Sequence, residues 1–126
     1  ERVIARALEI LKERNGQKAS YEVLVIGVAY KPNVSDMRES PALRILESLH
    51  KQGFTVSYHD PHIPSVNGFA SKALSSEVIQ RQDLVVITTD HSTIDYEQLL
   101  AFDRPILDTR NALRGFTNPN IYRIFL

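Results

Sequence analysis

Glu22-Val23-Leu24-Val25-Ile26-Gly27-Val28-Ala29 is a continuous apolar run rich in β-branched residues, with no charged residue between Glu22 and Lys31. Its length and composition predict a strand covered on both faces, as in a parallel sheet. Downstream, Pro41 to Gln52 predicts a helix with Leu43, Ile45, Leu46 and Leu49 facing inward. Ser40 suits the N-cap, Pro41 the first helical position and Gly53 the stop. Phe54 to His59 follows as a strand, with Phe54, Val56 and Tyr58 on one face. Strand, helix and strand in this order imply a right-handed parallel crossover.

The rest of the chain continues the alternation. Asp60 to Gly68 reads as a loop punctuated by Pro61, Pro64 and Gly68, and Ser75 to Arg81 as a short helix. Leu84 to Thr88 is a second apolar strand, expected at the centre of the sheet. Tyr96 to Phe102 predicts a short helix, Pro105 to Leu107 a short strand ending at Asp108-Thr109-Arg110, and Ile121 to Phe125 an edge strand. Upstream, Val3, Ile4, Ala7, Leu8 and Leu11 recur at helical spacing from Glu1 to Arg14, and Asn15-Gly16 is a stop signal. That helix reads as the tail of a linker from an upstream domain, and the chain as a piece of something longer. The expected fold is a single α/β domain, doubly wound, on a mainly parallel sheet.

Bulk properties narrow the function. The chain has 126 residues and no net charge, with a sequence pI of about 7.2. A nucleic-acid or membrane surface normally needs a basic excess, so neither partner is expected. The absence of cysteine removes disulfides, thiolate metal sites and a cysteine nucleophile from this chain. A reducing cytoplasm is compatible with that composition. No apolar run approaches the roughly 20 residues of a membrane span, and no signal peptide is visible.

Ligands in open α/β sheets bind outside the carboxyl ends of the strands, near the reversal in strand order. Three polar segments leave such ends: Tyr30 to Ser40, Thr88 to His91, and Asp108 to Asn111. The first is about ten residues long, where strand-to-helix loops usually have about 2–6. It carries Lys31 and Arg38 and runs into a helix N-terminus, which favours an anion. A guanidinium binds two phosphate oxygens at once, and an ammonium adds a movable charge. The competing reading pairs both cations with Asp36 and Glu39 on the surface. Gly27 is followed by Val28 and Ala29, so the G-x-G-x-x-G turn that holds a dinucleotide pyrophosphate is missing. Asp60 either meets a ribose or simply turns the chain before Pro61. His91 either donates to a ligand or caps the turn toward Tyr96. His59 and His62 with Asp60 lack a fourth ligand at suitable spacing, so no metal is expected. Arg110 is a phosphate or base ligand, or else pairs with Asp108.

Four stretches together carry a resemblance: GVAYKPNVSDMRESPALRILESL (Gly27 to Leu49), VSYHDPHIP (Val56 to Pro64), DLVVITTDH (Asp83 to His91) and ILDTRN (Ile106 to Asn111). They resemble the C-terminal, UDP-binding domain of the NAD-dependent UDP-glucose/GDP-mannose dehydrogenase family, from Val23 to about Asn111. The resemblance implies a Rossmann-like domain over residues 17–126 that grips UDP, with residues 1–16 ending a connecting helical region. It implies a cytoplasmic enzyme of polysaccharide biosynthesis, homodimeric in full length, that oxidises the C6 hydroxyl of a nucleotide sugar to a carboxylate with two NAD+ in succession.

By motif position, Tyr30, Lys31 and Arg110 match positions that contact the UDP-sugar. Arg38 matches an arginine that reaches NAD on the N-terminal NAD-binding domain, which would lie upstream. The family's catalytic cysteine forms a thiohemiacetal and then a thioester; none is present, so no catalytic residue is assigned here and the chain alone is expected to be inactive. The run YKPNVSDMRESPA looks more like members acting on UDP-N-acetylhexosamines (ManNAc or GlcNAc) than on UDP-glucose. The alternatives are a UDP-glucose 6-dehydrogenase domain and a non-catalytic nucleotide-binding or dimerisation module.

Overall fold

The computed structural model describes residues 2–29 and 40–124. Five parallel strands form the central sheet: β1 (Glu22–Ile26), β2 (Thr55–His59), β5 (Leu84–Ile87), β6 (Ile106–Asp108) and β7 (Ile121–Arg123), in the order β2-β1-β5-β6-β7. β3 (Ser65–Val66) and β4 (Phe69–Ala70) form a separate antiparallel hairpin. The helices are α1 (Arg2–Asn15), α2 (Pro41–Lys51) and α3 (Ser76–Gln80), with a 3-10 helix at Tyr96–Ala101.

The apolar run that predicts a doubly covered strand is doubly covered. Val23 and Val25 of β1 point into one core with Val3, Ala7, Ile10 and Leu11 of α1 and Ile45, Leu46 and Leu49 of α2. Leu24 and Ile26 point into the other, with Ile79 of α3 and Tyr96 and Leu99 of the 3-10 helix. A strand's side chains alternate between faces, so a run apolar at every position needs both faces covered. That is the doubly wound arrangement. Val3, Ala7, Ile10 and Leu11 of α1 are completely buried, whereas Ile4 and Leu8 are only partly so.

Three local expectations change. The loop expected from Asp60 to Gly68 contains the start of the β3–β4 hairpin, which turns at Asn67-Gly68 with both residues at positive φ. The helix expected at Tyr96 to Phe102 is 3-10, capped by the Asp95 carboxylate accepting from Glu97 N. On α2, Ala42 takes a buried position and Leu43 is only partly covered. Ser40 and Pro41 behave as expected: Ser40 Oγ accepts from Leu43 N at 3.4 Å, and Pro41 opens the helix. No helix among the described residues is long and apolar enough to cross a membrane.

Candidate functional site

The order of strands reverses between β1 and β5: from β1 the chain runs out to β2 and then returns past β1 to β5, β6 and β7. The segment after Ile26 and the segment after Ile87 therefore flank the switch point, and the segment after Asp108 lies one strand further along. The parallel ladders of β1 end with Ile26 opposite His59 and Ile87. Beyond them, backbone and side-chain groups together hold the chain. Gly27 N donates to His59 O at 2.8 Å. Ile26 O accepts from Thr88 N at 2.9 Å and from Thr88 Oγ1 at 3.0 Å, and Gly27 O also accepts from Thr88 Oγ1. Val28 O accepts from Ser40 Oγ at 2.6 Å, and Ala29 O from Thr89 Oγ1 at 2.6 Å.

The remaining amides go to one carboxylate. Asp60 Oδ2 accepts from Val28 N at 2.8 Å and Ala29 N at 3.0 Å, and His91 Nε2 lies 3.1 Å from the same oxygen. Asp60 Oδ1 accepts from His62 N at 2.8 Å. Burial by itself would raise the Asp60 pKa. The amides of His62, Ala29 and Val28 and the His91 ring together outweigh it and hold the carboxyl below its ordinary value. Asp60 is thus ionised at neutral pH and only accepts, so His91 Nε2 carries the proton it shares. The His62 and His91 rings pack at a tilt of 56°, with centroids 4.8 Å apart.

This arrangement bears on two open readings. The Asp60 carboxylate turns the chain through His62, and among the described residues it also meets Val28, Ala29 and His91 with its side chain fully buried, as the turn reading expects. His91 is wholly buried; its ring meets Asp60 and its backbone N donates to Tyr96 Oη at 3.1 Å, as the reading of a capped turn toward Tyr96 expects. Tyr96 Oη in turn donates to Thr89 O at 3.3 Å. Burial, with help from nearby Asp90, pushes the Tyr96 hydroxyl up, which keeps it a donor.

The same packing excludes a dinucleotide pyrophosphate from its usual place. That cradle needs unpaired amides behind a glycine turn. Here the amides of Val28 and Ala29 are taken by Asp60, and Thr89 lies against Gly27 closely enough that a Cβ there would meet Thr89 Cβ at 2.6 Å. Among the described residues, Gly27, Val28 and Ala29 therefore do not offer NAD that cradle. No group of three His, Cys, Asp or Glu among the described residues is placed to hold a metal ion.

Arg110 stands on a second buried carboxylate. Asp108 Oδ1 accepts from Arg110 N at 3.0 Å and Ala112 N at 3.1 Å, and Oδ2 from Leu113 N at 2.9 Å. Asp108 is wholly buried. The expected alternative, an Asp108–Arg110 ion pair, is corrected: the aspartate binds the arginine's backbone N–H. The Arg110 side chain is exposed and makes no hydrogen bond or ion pair with any described residue. Thr109 Oγ1 donates to Ile87 O at 2.7 Å and ties this turn to β5. Tyr30, Lys31 and Arg38 lie outside the described residues, so of the four expected ligand residues only Arg110 is located. Sequence reasoning singled out Asp60 and the Thr88–His91 segment but missed their bonds to one another and to residues 26–29, which join residues 31 or more apart and leave no local signature.

Residues 24–115 match the UDP binding domain of the UDP-glucose/GDP-mannose dehydrogenase family. The UDP-N-acetyl-D-mannosamine dehydrogenase of Methanococcus vannielii is 34% identical over 122 residues, covering 90% of this chain and 26% of the relative. The UDP-glucose 6-dehydrogenase of Rhizobium meliloti is 27% identical over 120 residues, covering 87% of this chain and 28% of the relative. Among solved structures, the UDP-D-ManNAc dehydrogenase of Pyrococcus horikoshii superposes with a TM-score of 0.76 at 25% identity, covering 97% of this chain and 30% of that one. The chain therefore spans about a quarter of the length of the curated relatives it matches.

Proposed function

The chain belongs to the UDP-glucose/GDP-mannose dehydrogenase family, matching its UDP binding domain, and from that premise we propose that it grips the uridine diphosphate of a UDP-sugar at the carboxyl ends of β1, β5 and β6. The observation that carries this reading is the Arg110 guanidinium. It is exposed, paired with no described residue, and mounted on a turn fixed by Asp108 beside a switch point already filled with protein groups. Because the amides of Val28 and Ala29 are spent on Asp60, this reading draws the charge for a diphosphate from side chains. Arg110 and Lys31 supply it in this reading, and Tyr30 contacts the same ligand. A charge-assisted contact contributes about 1.5–3 kcal/mol, so Arg110→Ala and Lys31→Ala are each expected to weaken UDP binding about tenfold or more by calorimetry. Wild-type affinity in both variants would sink the assignment.

The larger function is proposed on the same basis. The whole protein is an NAD-dependent UDP-sugar 6-dehydrogenase that oxidises the C6 hydroxyl to a carboxylate, with this chain as its nucleotide-sugar domain. NAD is held by a separate N-terminal domain and reached by Arg38, since the amides of Val28 and Ala29 are spent on Asp60 and offer it no glycine-turn cradle. The thiol of the covalent step lies outside this cysteine-free chain, and the full-length enzyme is a homodimer. A UDP-N-acetylhexosamine is the favoured substrate, supported by relatives in Methanococcus and Pyrococcus named for N-acetylmannosamine. UDP-glucose is the alternative, supported by the Rhizobium relative. Steady-state kinetics of the full-length enzyme with UDP-glucose, UDP-GlcNAc and UDP-ManNAc are expected to give the higher kcat/KM for an N-acetyl sugar. A preference for UDP-glucose would overturn the choice.

A further inference from the structure

We propose that Asp60 and His91 are positioning residues for the nucleotide site: together they fix the backbone of Val28 and Ala29, and so the point from which the chain continues into Tyr30 and Lys31. This rests on the UDP reading above. One carboxylate joins three strand ends. Asp60 follows β2, Val28 and Ala29 follow β1, and His91 follows β5, which are adjacent in that order. The Asp60–His91 bond therefore crosses over the end of β1 at the switch point. Both side chains are fully buried.

Stability alone gives little reason for a charge in this place. A buried charge, even a partnered one, is at best a weak stabiliser against apolar residues of the same volume. The two apolar cores and the ladders up to Ile26 already join β1, β2 and β5. What the ladders leave undetermined is the path beyond Ile26. There the amides of Val28 and Ala29 meet Asp60, while their carbonyls meet Ser40 and Thr89. Ser40 lies at the far side of the 30–39 segment, so both flanks of that segment are tied to the same block. A binding group is only as well placed as the shell that holds its backbone.

The side-chain chemistry separates positioning from filling. Asp60→Asn keeps shape and volume, but an amide has one oxygen. If that oxygen faces Val28 and Ala29, its NH2 confronts the N–H of His62; if it is flipped, the NH2 confronts two amides. Either way the backbone after β1 shifts while the apolar cores stay intact. His91→Gln leaves the carboxylate and its three backbone bonds and loosens the fourth.

The test is a calorimetric titration of UDP into this chain as wild type, Asp60→Asn and His91→Gln, each at a temperature where circular dichroism shows it folded. Asp60→Asn is expected to bind UDP about tenfold more weakly and His91→Gln severalfold more weakly, with NMR amide shifts displaced at Val28, Ala29 and Lys31. Lower melting temperatures with wild-type affinity in the folded variants would mean that the clasp holds only the fold, and would overturn the proposal. If Asp60→Asn does not fold, His91→Gln decides by the same split between affinity and melting. Failure of the wild type to bind UDP would remove the UDP reading and this inference with it. Tight wild-type binding with unchanged variants removes this inference alone.

Discussion

Gly27→Ala is expected to lower the melting temperature by about 10–20 °C, far more than the same change at Gly53. Both glycines have φ near +90°, +88° and +87° respectively. A side chain at such a φ costs about 1–2 kcal/mol at either position. They differ in what the new methyl meets. At Gly53 nothing lies within 4 Å. At Gly27 it would sit 2.6 Å from Thr89 Cβ and 2.9 Å from both Thr89 N and Thr89 O. Two of those three atoms are backbone, so no rotamer change relieves the contact, and β1 and the chain after β5 would have to separate. Overpacking of this kind costs about 1–3 kcal/mol. With the backbone cost it reaches several kcal/mol, a large share of a typical domain's stability of about 5–15 kcal/mol. For a domain of this size each kcal/mol moves the melting temperature by several degrees. Thermal unfolding followed by circular dichroism gives the comparison. Equal losses at the two positions would mean that the Thr89 contact contributes nothing.

The sequence reveals the architecture because the architecture is set by local periodicity. A run such as Val23-Leu24-Val25-Ile26, apolar at successive positions, has one economical home, a strand between two helical layers, and the fold provides it. Ser40, Pro41 and Gly53 mark the ends of α2 by chemistry contained within a few residues. The same argument explains the misses. A two-residue strand has no alternation to detect, so β3 disappears into an apparent loop and β4 just beyond it goes unassigned, although Asn67-Gly68 between Val66 and Phe69 is a recognised hairpin turn. The site was legible only as a location. Arg110 at a strand's carboxyl end follows from counting strands. That Asp60 spends its charge on Val28, Ala29 and His91 does not, because those partners come together only when three separate strands lie side by side. Asp108 is an intermediate case: its partners Arg110, Ala112 and Leu113 are local, but a sequence cannot distinguish the arginine's backbone N–H from its guanidinium.

Asp108→Ala is the other change expected to have a large effect, and it acts on fold and site together. The carboxylate is wholly buried and accepts three backbone N–H groups, from Arg110, Ala112 and Leu113. Truncation leaves all three without their acceptor. A buried donor stripped of its partner costs about 1–3 kcal/mol. The Arg110 amide, on an exposed residue, recovers part of that from water, whereas Leu113, fully buried, does not. A net loss of about 3–5 kcal/mol is expected, again a fall in melting temperature of about 10–20 °C. Asp108→Asn should lose less, since its single oxygen can keep either the Arg110 and Ala112 bonds or the Leu113 bond. The functional arm follows from the geometry: Arg110 is aimed by a turn that exists because Asp108 gathers those amides. UDP affinity of folded Asp108→Ala protein is therefore expected to fall about tenfold, matching Arg110→Ala, and the double variant should be hardly worse than either single one, since both remove the same contact. Additive losses would show that Asp108 and Arg110 act on the ligand independently, and full affinity in folded Asp108→Ala would show that the turn aims the arginine without its carboxylate.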